Sequence, residues 1–215
     1  MPARKKIIIS RIFLFLFYSP PGDTCDNTDI GSVARSIAGT AGYTLPGGMA
    51  PGLEATEHVV IDAMAYTNGT AVVELEVDVE TGAVRIEKLV FVHDCGRILH
   101  PVIVEGQLTG GVAHGIGNAL YEWMRYDENA QPITSTLADY LLVTAPEMPP
   151  VELGHQESPT PLNALGVKGV GECGVVPIAA AVCSAIEDAL SPYNVRIRRT
   201  PITPADIVEL IQNRS

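Results

Sequence analysis

Residues 73–92 read VELEVDVETGAVRIEKLVFV, and residues 101–120 read PVIVEGQLTGGVAHGIGNAL. In the first stretch Val73, Leu75, Val77 and Val79 alternate with Glu74, Glu76, Asp78 and Glu80. A period of two places the apolar set on one face of a strand. Thr81-Gly82 supplies a turn, Val84 and Ile86 resume the alternation, and Leu89-Val90-Phe91-Val92 closes on an apolar run. The pattern predicts a β-hairpin whose second strand runs deep into a core. In the second stretch Pro101 stands where a helix would start, because its missing N–H costs nothing there. Val104, Leu108, Val112, Ile116 and Leu120 recur every fourth residue. Gly106, Gly110, Gly111, Gly115 and Gly117 lie among them, each costing about 1 kcal/mol of helix stability. Two readings account for them: tight helix–sheet packing, or a bulky ligand or catalytic loop lying against that face.

Outward from this centre, residues 121–157 read as short strands and loops, including Asp139–Val143 and Val151–Leu153. Residues 158–176 form a Gly- and Pro-rich loop. Residues 177–190, PIAAAVCSAIEDAL, make a helix of good formers with Pro177 at its start. Asn194–Arg199 reads as a strand and Pro204–Gln212 as a last short helix. Strands and helices mix throughout, so the class is α+β or α/β, here taken as α+β with a mixed sheet and packed helices.

Toward the N-terminus, residues 19–56 are rich in Gly, Pro, Ser and Thr and read as loop, with a breaker cluster at Leu45–Gly52. Residues 7–18, IIISRIFLFLFY, follow Arg4-Lys5-Lys6 in the manner of a signal segment. Arg11 interrupts the run, no A-x-A pattern follows, and the run falls short of the ~20 residues that span a bilayer. It reads as a buried strand or an irregular start.

The 215 residues carry 14 Lys+Arg against 25 Asp+Glu, a formal net charge of −11. That balance argues against a nucleic-acid partner, which needs a basic footprint, and against an anionic membrane surface. Hydrophobic residues at 47% and charged residues at 18% exclude a disordered polar chain. Cys25, Cys95, Cys173 and Cys183 are scattered without a CxxC pair, and read as reduced thiols in a cytoplasmic protein. His58, His93, His100, His114 and His155 form no HExxH or HxH pattern, so nothing supports a metal held by protein side chains.

Chemistry concentrates in Gly166-Val167-Lys168-Gly169-Val170-Gly171-Glu172-Cys173-Gly174, just before the helix at Pro177. Such a backbone can approach a ligand closely, and a helix start beyond it favours anionic groups. Lys168 is the loop's cation and Glu172 its carboxylate. Glu172 is a candidate general base, or else a solvated side chain on a structural turn.

This loop, with the helix ending Glu187-Asp188-Ala189-Leu190, resembles the C-terminal end of the large subunit of molybdenum hydroxylases. That family comprises xanthine dehydrogenase, aldehyde oxidase and aerobic carbon monoxide dehydrogenase. Asp78-Val79-Glu80-Thr81-Gly82 resembles the family's VDPETG hairpin. Asp94-Cys95-Gly96-Arg97, Pro101 and Gly106-Gln107-Leu108-Thr109-Gly110-Gly111 resemble its DCGR, NP and GQ..GG motifs. Asp139-Tyr140 and Leu162-Asn163 also fit. The resemblance covers about residues 45–213 and is strongest to the carbon monoxide dehydrogenase-like branch. Near the N-terminus, Gly22-Asp23-Thr24 and Gly31-Ser32-Val33-Ala34-Arg35-Ser36 resemble a segment that holds the pterin.

The resemblance implies a domain organisation of an irregular segment over 1–44, carrying a remnant of a cofactor-binding loop, and the C-terminal part of a molybdopterin-binding domain over 45–215. It implies that Glu172 is the base that deprotonates a molybdenum-bound hydroxyl before attack on the substrate carbon. Gln107, Lys168, Gly169, Val170, Gly171, Ser32, Val33 and Ala34 would contact the cofactor. That cofactor is a molybdopterin, often the cytosine dinucleotide, with electrons passing to iron–sulfur clusters and FAD on partner domains or subunits. The substrate class is an aldehyde, an N-heterocycle or carbon monoxide, with water as the oxygen source. The family's large subunits are several times longer, so the implied working form is an oligomeric assembly with the remaining large-subunit portion and iron–sulfur and flavin subunits. A truncated, non-catalytic remnant or interaction module of the same fold is the alternative. His114 stands where the family often has Gln, and reads as a core or polar-network residue. His100 stands where Asn is common. Cys173 reads as an inert small residue in preference to a redox-sensitive thiol.

Overall fold

The computed structural model describes residues 63–213, together with His58 and Val60. They belong, apart from those two, to the second of two units into which the chain divides, Ala63–Ser215. The readings at residues 7–18, at the breaker cluster 45–52, at Cys25 and at Ser32, Val33 and Ala34 lie outside the described residues.

The hairpin forms as the alternation predicts: β1 (Asn68–Val77) pairs antiparallel with β2 (Val84–Asp94). Val73, Leu75 and Val77 of β1 lean on the core while Glu74 and Glu76 face outward. Val79 departs from the expectation. The strand stops at Val77, and Val79 sits in the turn, 41% exposed. The Asp78 carboxylate accepts the Glu80 and Thr81 N–H groups at 2.9 and 3.2 Å, which bends the chain before the ladder can continue. The apolar run of β2 also divides. Leu89 and Phe91 are fully buried, whereas Val92 is 42% exposed, because successive side chains leave opposite faces of a strand.

β3 (Val151–His155) adds to β2 in parallel, giving a three-stranded mixed sheet in the order β1-β2-β3. Parallel neighbours require a crossover, and α1 (Pro101–Leu120) lies within it. Its every-fourth-residue set, Val104, Leu108, Val112, Ile116 and Leu120, is buried throughout. The His100 ring caps the helix by accepting the Ile103 N–H at Nδ1, 3.4 Å away. α2 (Ile178–Ala189) buries Ile178, Val182 and Ile186 and packs on α1 and β1. α3 (Pro204–Gln212) starts on a capping box: Thr203 Oγ1 accepts the Asp206 N–H, and the Asp206 carboxylate accepts the Thr203 N–H. Ile207 and Ile211 complete the core.

The close contacts of the α1 glycines are with the glycine-rich loop and α2, in place of the expected sheet. A Cβ on Gly111 would lie 2.7 Å from the Gly174 Cα, and one on Gly115 would strike the Ile178 side chain. Those glycines permit close packing. Beside Gly106 and Gly110 there is open space.

Two expected strands are not strands. Residues 139–143 make a turn and an unpaired extended run, with the Tyr140 hydroxyl donating to Glu122 Oε2 at 2.7 Å. Residues 194–199 follow a left-handed Asn194 and lie beside α2, where the Ile197 N–H donates to Glu187 Oε1 at 2.6 Å. Both stretches have strand-like composition, but neither pairs with a strand. Among the described residues no helix is long and apolar enough to cross a membrane.

Candidate active site

The site is built from the end of β2 upward. Asp94, the last residue of that strand, is buried. Its Oδ1 accepts the Gly96 N–H at 2.8 Å and the Ser158 N–H at 3.1 Å. Its Oδ2 pairs with Lys168 Nζ at 2.9 Å, with side chains only 12% and 10% exposed. Burial alone would raise the Asp94 pKa. The Lys168 ammonium and the two N–H donors outweigh it and hold the carboxyl well below the usual carboxylate range. One carboxylate thus joins β2, the segment after β3 and the glycine-rich loop.

Backbone pairing repeats the attachment. Gly96 and Val167 form an antiparallel bridge, with Arg97 N–H donating to Gly166 O at 3.0 Å and Lys168 N–H donating to Cys95 O at 2.8 Å. Gly96 sits at φ +69°, and a side chain there would run into the Gly166 carbonyl, so only glycine fits. Asn163 clamps the loop from the other side: its Nδ2 donates to Val167 O at 2.9 Å, and its Oδ1 accepts the Val167 N–H at 3.1 Å.

Beyond Lys168 the loop runs free until it lands on α1. Gly174 meets the Leu108 carbonyl and Gly111 backbone to backbone. This landing fixes the loop's middle beside the open end of α1. A Cβ on Gly171 would lie 3.8 Å from Gln107 Nε2, and Gly169 has nothing near it. The structure therefore brings Gln107 beside Gly171, the residue before Glu172, from two distant stretches of chain. Glu172 is exposed, and its carboxylate has no partner among the described residues. The N–H groups of Gly169, Val170, Gly171 and Glu172 likewise have no hydrogen-bond partner there. Gln107 is exposed with its amide free. Val170 leans its side chain on the core, and its carbonyl accepts the Cys173 thiol at 3.2 Å.

Lys168 is placed differently from the cofactor contacts. Its ammonium is committed to Asp94, so its visible part is to position the loop. Cys173 is buried, and burial pushes its thiol pKa up, which fits an unreactive residue. His114 corrects an expectation: it is exposed, and among the described residues it joins neither the core nor a polar network. Its position on α1 turns it outward, away from the buried row. Asp94 and Asn163 stand out in the sequence only as members of the Asp94-Cys95-Gly96-Arg97 and Leu162-Asn163 motifs. The signal for Asp94 was its place two residues before a glycine, where an aspartate accepts backbone N–H groups.

The arrangement offers a strip of unpaired backbone donors, a free amide, and a carboxylate at one end. Glycine faces with open space above them line both sides. Such a surface suits a large anionic ligand, with the carboxylate left free to take a proton. Among the described residues no group of three or more His, Cys, Asp or Glu side chains could hold a metal.

Comparison with known proteins agrees with this chemistry. A family model described as a molybdopterin cofactor-binding domain matches residues 26–149, which include Gln107. The chain is 42% identical over 163 residues to the nicotine 6-hydroxylase large subunit of Paenarthrobacter nicotinovorans, covering 76% of this chain and 20% of that one. It is 33% identical over 159 residues to the carbon monoxide dehydrogenase large chain of Hydrogenophaga pseudoflava, covering 74% and 20%. In structure it matches quinoline 2-oxidoreductase from Pseudomonas putida 86 with a TM-score of 0.75 and 38% identity, over 86% of this chain and 23% of that one. The chain thus spans about a fifth of the length of the curated relatives it matches.

Proposed function

Because the chain belongs to the molybdopterin cofactor-binding domain family of molybdenum hydroxylase large subunits, we propose that it is the C-terminal working part of such an oxidoreductase. The substrate class is an aldehyde, an N-heterocycle or carbon monoxide, with water as oxygen source. The observation that carries this reading is the meeting of Gln107 with the Gly169–Glu172 turn, where unpaired donors face open space. The residues present fit the group. Gln107 would hydrogen-bond the pterin, and the N–H groups of Gly169, Val170 and Gly171 would cradle it. By resemblance, Ser32, Val33 and Ala34, outside the described residues, would also contact it. Asp94 and Lys168 position the loop. The bound group, a molybdopterin and by resemblance its cytosine dinucleotide, supplies the two-electron oxidation.

Glu172 takes the proton. A base must lie within hydrogen-bond reach of what it deprotonates, and a carboxylate with no competing partner is free to do so. The electrons leave to iron–sulfur and flavin partners, in a cytoplasmic assembly with the rest of the large subunit. The test is to purify the chain with its co-purifying subunits and measure molybdenum and pterin. Stoichiometric amounts are expected. Neither metal nor pterin in that assembly would favour the non-catalytic remnant or interaction module.

The open end of α1 also exposes apolar side chains: Leu99 at 59%, Val102 at 73% and Ile103 at 60%, with Val176 of the loop at 77%. Apolar surface of that kind marks an interface. The chain alone is expected to associate, and multi-angle light scattering should give a mass rising with concentration. A single monomer mass across a hundredfold range would show that these side chains need no partner.

A further inference from the structure

At the C-terminal ends of β2 and β3 two imidazoles meet. His93 Nε2 lies 2.6 Å from His155 Nδ1, with the rings at 86° to each other. His93 is 1% exposed and stacks on Phe91. Its Nδ1 is buried without a hydrogen-bond partner. His155 reaches toward solvent, and its Nε2 lies 3.8 Å from Glu105 Oε1 on α1, two residues from Gln107. We infer that His93 and His155 are positioning residues for the Glu172 loop, acting as a latch that is closed only while the buried His93 ring is neutral. The connection to Glu172 rests on the function proposed above; the latch itself does not.

The tautomers of the two rings are coupled. A single N–H must lie between the two facing nitrogens. If His93 carries it on Nε2, the unpartnered Nδ1 is a bare lone pair, and His155 keeps its own N–H on Nε2 toward Glu105. If His155 carries it on Nδ1, His93 must hold its proton on Nδ1, where no acceptor exists. An orphaned N–H costs a full desolvation, so the first arrangement is the stable one. A further proton on His93 would charge a buried ring and sit on Nδ1, where no acceptor exists. The closed latch therefore excludes the extra proton, and acid opens it.

The charged surroundings do not reverse this. Burial first, and His155 second, lower the His93 pKa; Asp94 opposes them but is neutralised by Lys168. β1 presents uncharged Gly69 opposite His93, between Asn68 and Thr70. Glu105 faces only the outer nitrogen of His155. Because the closed state binds fewer protons, it is fully favoured above the ordinary histidine pKa of about 6.5 and is lost as pH falls below it.

Opening has a path to the loop. Directly after His155, the Gln156 N–H donates to His93 O at 2.9 Å, the Ser158 N–H donates to Asp94 Oδ1, and Glu157 accepts the Ile98 N–H at 2.8 Å. Release of His155 frees this segment and loosens the Asp94–Lys168 anchor. The test is hydrogen exchange on the full chain between pH 5 and 8, corrected for intrinsic rates. Protection over the bonded amides of residues 156–168 is expected to fall up to tenfold per pH unit below about 6.5, one proton being taken up. Residues 204–212 of α3 should hold their protection. His93→Gln keeps a donor for His155 without a titrating ring at the buried position, and its protection should be flat over that range. Equal pH dependence in wild type and variant, or none in wild type, would overturn the latch. If the variant does not fold, long-range ¹⁵N–¹H spectra of the wild type decide: His93 must carry its proton on Nε2 at pH 7.5, and a proton on Nδ1 refutes the scheme. None of these readouts depends on cofactor or turnover, so they can fail while Glu172 remains the base.

Discussion

Replacing Glu172 by Gln in the cofactor-loaded assembly should lower turnover by about 10²–10⁴-fold, the usual contribution of a positioned base. That range corresponds to roughly 3–5 kcal/mol of transition-state stabilisation. Molybdenum and pterin content should not change, because the groups assigned to cofactor contact are the Gln107 amide and the backbone of Gly169–Gly171. Nor should the melting temperature move, since the Glu172 side chain has no partner among the described residues to lose. Glutamine preserves size and hydrogen bonding but cannot accept a proton at neutral pH. The three readouts together separate a base from a structural carboxylate. Turnover within a factor of three of wild type would end the assignment, whatever the cofactor content.

The second large effect concerns the anchor. Lys168→Met removes the ammonium from Asp94 while keeping most of the side chain's bulk. Breaking a buried pair from one side costs about 3–5 kcal/mol, because the remaining charge has no counterpart. At roughly 2–4 °C per kcal/mol for a chain of this size, the melting temperature should fall by about 6–20 °C at pH 7. The sign of the pH dependence follows from Asp94. Its carboxyl is held below the usual range in the folded chain, so the pair stabilises fully above the unfolded value of about 3.9 and is lost progressively as pH falls from there toward the lower folded value. The gap between wild type and variant should therefore be widest at neutral pH and narrow toward pH 3. Equal melting temperatures at pH 7 would show that Asp94 is held by the Gly96 and Ser158 N–H groups alone.

The helices were plainly written. Val104 through Leu120 at four-residue spacing is buried in full, and both proline-led helices start within a residue of where Pro177 and Pro204 place them. The hairpin was equally legible because its partners are adjacent in sequence. Residues 139–143 and 194–199 carry the same apolar character yet form no strand, since composition cannot say whether a neighbouring edge exists. The strand at Val151–Leu153 was legible as well, but its parallel pairing with β2 was not, because the partners lie far apart in sequence. The site divides in the same manner. Gln107 and the Gly169–Glu172 turn could be picked out as motifs, but their meeting depends on Gly111 lying against Gly174, a tertiary contact. The partnership of Asp94 with Lys168, 74 residues apart, had no local sign.

The placement of β3 beside β2 bears on how the chain acquires its shape. The hairpin closes across the short turn between Val77 and Val84, whereas the β2–β3 ladder joins positions 62 residues apart. Closing the longer loop costs about 2 kcal/mol more in chain entropy. Long-separation pairing is also the slow kind. During synthesis β1 and β2 can zip together at once, but the third strand must wait for the whole crossover to emerge and coil. The acid-bearing turn, made still later, is assembled on a scaffold whose last ladder has only just closed.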